Sequence, residues 1–363
     1  MSCTCARFPT HGWRPRPERS RPTSGFRSRS QTSVLGNLRS ALPSSSRRNA
    51  IVVLALVAAS ACAGSSTAAP RATASPRSTA AGTDVNGTLQ SGNFTRSYVL
   101  HLPPDSSRLR PTPIVIAFHG SPMTAEQMSR ITHLSQVADA HGFAVLFPQG
   151  YQKSWAVPGG STPAQQAGID DVAFVRALLD SAGQLHGLDP MRVVATGISN
   201  GGILTELLGC SLSGRLIGIV PVGGLMRRNT AAACAPARPI SVFGIHGIDD
   251  PVAAYGGVPG PDGFLSFTDT LAFWARVDGC STAPASAQLT GTGRDNTRVT
   301  TLTYAGCASG TEVVGYAVKG GGHAWPGGEP IGTTEEMGMT SQQFDTGELI
   351  WSFLDRHRPT AQQ

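Results

Sequence analysis

Residues 189–202 read DPMRVVATGISNGG. Val193–Thr196 is a short apolar run of the kind that forms a buried strand. It leads into Gly197-Ile198-Ser199-Asn200-Gly201-Gly202, and a helical stretch follows. This is G-x-S-x-G between a strand and a helix. A hydroxyl becomes a usable nucleophile only if it projects from a tight turn and meets a base. The glycines leave room for that turn, and the helix N-terminus behind it favours developing negative charge. The competing reading is an ordinary serine in a small-residue turn. Glycine is abundant, 43 of 363 residues, so the strand–turn–helix setting carries more weight than the motif itself.

Outward from this turn, strand and helix patterns alternate. Phe94–Leu102 alternates apolar and polar, as a half-buried strand does. Ile114–Phe118 and Ala144–Phe147 are continuous apolar runs, as in strands covered on both faces. Helical spacing runs over Ala125–Ala140, after Asp170-Asp171, near Leu265–Val277 and over Ser341–Arg356. Further strands are expected at Ile217–Val222, Ile240–Ile245, Val299–Tyr304 and Val313–Val318. The pattern is that of an α/β protein with a mostly parallel central sheet and helices on both faces. Asp170 or Asp171 reads as a helix N-cap.

A serine nucleophile needs a histidine base and an acid that holds the ring. With a nucleophile elbow of this kind the chain order is Ser, then Asp or Glu, then His. Strand Ile240–Ile245 is followed by His246-Gly247-Ile248-Asp249-Asp250-Pro251. Asp249 and Asp250 are both candidates, and adjacent side chains point different ways, so one of them should reach the base. His323 lies in GGGHAWPGG (320–328), a loop, where catalytic groups tend to sit. The other histidines fit less well. His119 precedes the serine, His246 precedes the acid, and His133, His141, His186 and His357 lie in or near helices. An oxyanion hole needs two N–H donors. Asn200, next to the nucleophile, should give one, and Ser121 in Phe118-His119-Gly120-Ser121 the other, with Gly120 as the alternative. Trp155 and Trp325 are candidates for the substrate pocket; simple burial is the competing reading.

The formal charge of +6 is unevenly spread. Residues 1–61 hold ten arginines and one acidic residue, Glu18. From residue 85 onward there are 17 basic and 21 acidic groups, so the catalytic region is mildly acidic and offers no patch for nucleic acid. Arg47-Arg48-Asn49, the apolar run Ala50–Ala61 and then Cys62 resemble a bacterial lipoprotein signal, with Cys62 the lipidation candidate. The run is too short to span a bilayer. Ser46-Arg47-Arg48 weakly resembles a twin-arginine signal. Residues 62–84, rich in Ala, Ser, Thr and Pro, read as a disordered tether, and 85–358 as the catalytic domain. Of seven cysteines, Cys210, Cys234, Cys280 and Cys307 fall in that domain. An exported domain with an even number suggests two disulfides. Three connectivities are open; Cys210–Cys234 with Cys280–Cys307 closes short loops and is expected. No Cys-x-x-Cys pair supports a zinc site.

Several stretches together resemble a known family: FHGSPMTAEQM (118–128), ADAHGFAVLFPQG (138–150), IDDVAFVRALLD (169–180), DPMRVVATGISNGG, IHGIDDPVAAYGG (245–257) and GGGHAWPGG. They are similar to secreted and lipoprotein α/β-hydrolase esterases, the family of poly(3-hydroxybutyrate) depolymerases and feruloyl and acetylxylan esterases. The resemblance implies an α/β-hydrolase fold, with Ser199 as nucleophile, Asp250 as acid and His323 as base. It implies the same two disulfides and no cofactor or metal. Ser121 departs from the glycine or cysteine of many members. The expected partner is an ester, a small molecule or one linked to polysaccharide; possible membrane attachment is through lipidated Cys62; the expected location is outside the cell. The competing functions are a prolyl-oligopeptidase-type serine peptidase and a surface binding protein that keeps the fold without turnover.

Overall fold

The computed structural model describes residues 81–104, 111–291, 293 and 295–357. The signal segment, Cys62 and the tether up to residue 80 lie outside the described residues.

The strands are β1 (Thr83–Ser91), β2 (Phe94–Leu102), β3 (Thr112–Phe118), β4 (Ala144–Pro148), β5 (Leu188–Ile198), β6 (Gly218–Val222), β7 (Ser241–Gly247), β8 (Ala285–Gln288), β9 (Arg298–Tyr304) and β10 (Val313–Lys319). They form one sheet in the order β1-β2-β4-β3-β5-β6-β7-β10-β9-β8. The stretch from β4 to β10 is parallel throughout, and an antiparallel pair flanks it on each side. The helices are α1 (Ala125–Thr132), α2 (Leu134–His141), α3 (Pro163–Gln166), α4 (Asp171–His186), α5 (Asn200–Ser211), α6 (Arg228–Ala233), α7 (Phe267–Val277), α8 (Thr334–Met337) and α9 (Thr346–Arg356).

Strand side chains alternate between the two faces, and each face has its own helices. Ile114, Ile116 and Phe118 of β3 pack with Phe174 of α4, Leu208 of α5 and Trp274 of α7. Val115 and Ala117 pack on the opposite side with Met128 of α1, Val137 of α2 and Phe353 of α9. Strands covered on both faces need apolar residues at every position, which is why β3, β4, β6 and β7 are buried end to end. This is the α/β-hydrolase architecture. Two disulfides, Cys210–Cys234 and Cys280–Cys307, close loops of 24 and 27 residues.

Four expectations change. Ordered structure is present before residue 85, because Thr83 and Asp84 already pair with Leu102 and His101 in the first hairpin. The single helix expected over Ala125–Ala140 is two, broken at His133, whose φ of 53° interrupts the hydrogen-bond ladder. The apolar spacing runs through the break because both pieces bury the same side. The last helix starts at Thr346, where the Asp345 carboxylate caps the Glu348 N–H. Residues 341–345 are instead a loop. The edge strand β8 has a polar sequence and is exposed throughout, so no apolar pattern announces it.

Candidate active site

From β3 the chain passes to β4 on one side of it and then to β5 on the other. The loops leaving the carboxyl ends of β3 and β5 therefore border a crevice, the usual ligand position in an open α/β sheet. One of these loops carries His119-Gly120-Ser121 and the other carries Ser199.

Ser199 has φ 57° and ψ −121°. A non-glycine residue held there costs roughly 1–3 kcal/mol and persists only when its surroundings enforce it. They do. The Ser199 N–H donates to the Val222 carbonyl at 2.9 Å, and the Ile203 N–H to the Ser199 carbonyl at 2.9 Å. A Cβ at Gly197 would lie 2.6 Å from the Gly201 backbone, and one at Gly201 would collide with the Phe118 carbonyl. The turn can form only with both glycines. Next to it, the Asn200 side chain accepts from the Trp155 N–H at 2.7 Å and donates to the Trp155 carbonyl at 3.2 Å. That clamp fixes the first residue of α5, whose own N–H has no partner within the helix.

The β3 loop lies against the serine. A Cβ on Gly120 would sit 3.3 Å from the Ser199 Cβ. His119 is fully buried. Its Nδ1–H donates to the Gly120 carbonyl at 2.8 Å, and its Nε2 accepts the Gly150 N–H at 3.0 Å. Burial pulls its pKa down to about 4, so the ring is neutral and suited to that pair of bonds. His119 thus orients the loop and takes no part in a triad. The sequence excluded it as a base but gave no sign of this role, which depends on the distant Gly150. Ser121 is exposed and precedes a cis Pro122.

At the end of β7 the two aspartates diverge. Asp249 is exposed; its carboxylate accepts the Gly320 N–H at 2.7 Å. Asp250 is buried, with one oxygen 2.7 Å from His323 Nδ1. Its other oxygen accepts the N–H groups of Val252 and Ala253 at 2.8 and 2.7 Å. Burial pushes the Asp250 carboxyl up, but His323 and these two donors outweigh it and hold it below the usual carboxylate range. His246 sits behind it, donating from Nε2 to the Ala253 carbonyl at 2.8 Å. His323 is held by backbone: its N–H donates to Met337 at 2.6 Å, and Gly322 and Gly327 donate to Met339 and Ser341 at 2.9 Å each.

Ser199 and Gly223 line one cavity of about 180 Å³ with Ile203, Leu225, Val258 and Phe264. A Cβ on Gly223 would lie 3.3 Å from His323 Nδ1, so His323 lies next to a residue of the cavity wall. Among the described residues no hydrogen bond joins the Ser199 hydroxyl to His323, while His323 and Asp250 are hydrogen-bonded. A larger open groove of about 420 Å³, by Asp249, Asp295 and Lys319, is lined by neither Ser199 nor His323.

Trp155 and Trp325 do not line the 180 Å³ cavity. Both are fully buried, on opposite faces of the sheet. Trp155 supports the site from behind, with its indole N–H donating to the His119 carbonyl at 2.8 Å. Asp170 caps α4 through the Ala173 N–H. Asp171 is instead buried against Arg96 at 2.7 Å and accepts the Ala156 N–H.

Residues 96–252 match the family described as esterase PHB depolymerase. The chain carries an esterase PHB depolymerase domain. The NocK protein of Nocardia uniformis subsp. tsuyamanensis, an esterase by name, is 29% identical over 273 residues, covering 72% of this chain and 79% of that protein. Feruloyl esterase B of Piromyces equi is 27% identical over 241 residues, covering 63% of this chain but only 42% of that protein. Among solved structures, an acetyl xylan esterase from Aspergillus awamori superposes with a TM-score of 0.48 at 16% identity, covering 66% of this chain and 94% of that one. The esterase PHB depolymerase domain is that of a carboxylic ester hydrolase, and its matched stretch includes Gly120, Ser199, Asn200 and Asp250 but stops short of His323.

Proposed function

We propose that the chain is an exported serine esterase that cleaves carboxylic esters through Ser199, His323 and Asp250. The observation that carries this is the buried Asp250–His323 pair at 2.7 Å beside the cavity that holds the strained Ser199. Asp250 fixes the ring so that Nδ1 carries a proton and Nε2 is left as the base. Ser199 Oγ attacks the ester carbonyl as His323 Nε2 takes its proton. The oxyanion receives the N–H of Asn200 and that of Ser121 or Gly120. His323 then protonates the departing alcohol, and the acyl-enzyme is hydrolysed by water that His323 deprotonates. The Ser199–His323 hydrogen bond forms when substrate fills the cavity, as catalytic bonds often do only in the complex. Feruloyl, acetylxylan and short hydroxyalkanoate esters are the substrate classes suggested by the relatives. Ser199→Ala should abolish p-nitrophenyl acetate hydrolysis in a folded protein, and full retention would refute the mechanism. Asp250→Asn should cost about 10⁴-fold in kcat, with Asp249→Asn far milder; the reverse ranking reassigns the acid.

The same reading has the protein outside the cell, tethered by a lipid on Cys62. Two disulfides in the folded domain favour an oxidising compartment. Cys62→Ala in the full chain should move the protein from the membrane fraction to the medium, and an unaltered membrane fraction argues against the anchor.

A further inference from the structure

The cavity beside Ser199 is walled mostly by residues outside the strands and helices, and its outer part is the 258–264 segment. Residues 258–264 form a tight turn, closed by reciprocal backbone bonds between Val258 and Phe264 at 3.1 and 2.9 Å. Both of these residues line the cavity, and Val258 is also exposed at its rim. A short turn of Val, Gly and Pro with an exposed outer surface has little core of its own to hold it. What holds it is the segment that follows β6. The Leu265 N–H donates to Met226 at 2.9 Å and the Arg228 N–H to Gly263 at 3.0 Å. Between these two bonds stands Arg227. Its Nη1 donates to the Asp262 carbonyl at 2.7 Å and to the Gly159 carbonyl at 2.8 Å. Its guanidinium lies over the Phe264 ring, 4.5 Å from the centroid. One side chain thus joins the turn to the 155–160 loop, the same loop that clamps Asn200 through Trp155.

Charged hydrogen bonds to carbonyls together with a planar stack are a combination that arginine can make and lysine cannot. None of these contacts touches the cavity interior, so Arg227 acts through Val258 and Phe264. Apart from Ser199, the other wall side chains, including Ile203, Leu225 and Val252, are apolar and supply no hydrogen-bonding group. A polar substituent there would be desolvated without a partner. An apolar cavity of roughly 150 Å³ accepts benzene, which sets the scale for one of about 180 Å³.

We propose that Arg227 is a specificity-determining positioning residue that latches the 258–264 turn as the outer wall, so that the cavity admits an apolar ester group of about six carbon atoms. This rests on the serine-esterase reading above. The group can come from the acyl or the alcohol side of the ester, and two substrate series separate them. In one, p-nitrophenyl esters run from acetate through butyrate, hexanoate and octanoate to decanoate; in the other, alkyl acetates run from methyl to decyl. The full chain is assayed as wild type and as Arg227→Ala, Arg227→Lys and Phe264→Ala.

In one of the two series, wild-type kcat/KM should drop about tenfold beyond six carbons, as expected where added methylenes no longer fit. Arg227→Ala should raise the eight-to-four-carbon ratio about tenfold in that same series, with Arg227→Lys in between. A merely structural loss lowers all chain lengths in parallel, and that result with a folded protein overturns the proposal. If Arg227→Ala does not fold, Phe264→Ala decides: an unchanged ratio overturns the proposal and a raised one supports it. A wild type inactive on every ester in both series refutes the esterase reading instead.

Discussion

Asp249 and Asp250 are neighbours of the same type, and the chain gives them opposite tasks. As β7 ends, one carboxylate faces outward to the Gly320 N–H and the other inward to His323. Residue types and order left both open as the expected acid; which of them meets His323 depends on which way the strand end turns, a property of the fold. The tryptophans mark the opposite limit. A large aromatic near a site can be wall or support, and Trp155 proves to be support. Glu206 is a residue that no motif marked. It is buried on α5, with Oε2 accepting the Trp274 indole N–H at 2.6 Å and Oε1 lacking a partner. Burial pushes its pKa from 4.5 to about 8, against the pull of that bond. In the unfolded chain it loses its proton near 4.5, so the folded state binds more protons between these values. Its contribution to stability therefore falls as pH rises from 4.5 towards 8 and stays low above that. Glu206→Gln keeps an acceptor for Trp274 and removes the charge. Thermal melts should show it gaining stability over wild type at pH 8.5 and little at pH 5, and a pH-independent difference would rule out ionisation as the cause.

At the scale of elements, the buried parallel strands were legible because burial on both faces leaves a continuous apolar run. The antiparallel edges were less so, since β1 and β8 alternate weakly and lie largely in solvent. The loop at residues 341–345 was read as helix, yet it braces the loop that carries His323. Gly327 donates to the Ser341 carbonyl, and Ser341 in turn bonds Thr297. Asp295 accepts from the Gln342 N–H at 2.5 Å and from the Gln343 side chain at 3.0 Å, fastening the same loop to the start of β9. Such long-range stitching leaves no local signature. The disulfides act on elements too. Cys210–Cys234 ties the end of α5 to the end of α6, and Cys280–Cys307 ties the end of α7 to the loop after β9. Closing loops of 24 and 27 residues should contribute roughly 3 kcal/mol each. Replacing either pair with alanines should lower the urea midpoint accordingly; an unchanged midpoint would mean that the open loop is equally restrained without the bond.

Across the whole sequence, the basic excess falls in residues 1–61, and acidic groups are in excess from residue 85 onward. The sheet brings three loops from β3, β5 and β7, and a fourth after β10, to one edge of the crevice. The expected chain order, Ser199 then Asp250 then His323, is compatible with this arrangement, because β5, β7 and β10 all lie on one side of β3. The outer wall of the cavity could not be foretold, since it depends on Arg227 meeting carbonyls 68 and 35 residues away. Activation of Ser199 by His323 is the central proposal for this site. Treating the folded full chain with a fluorophosphonate probe and locating the adduct by peptide mass spectrometry tests this directly. The predicted result is a single adduct on Ser199, lost in His323→Ala. No adduct, or one on another serine, would contradict it.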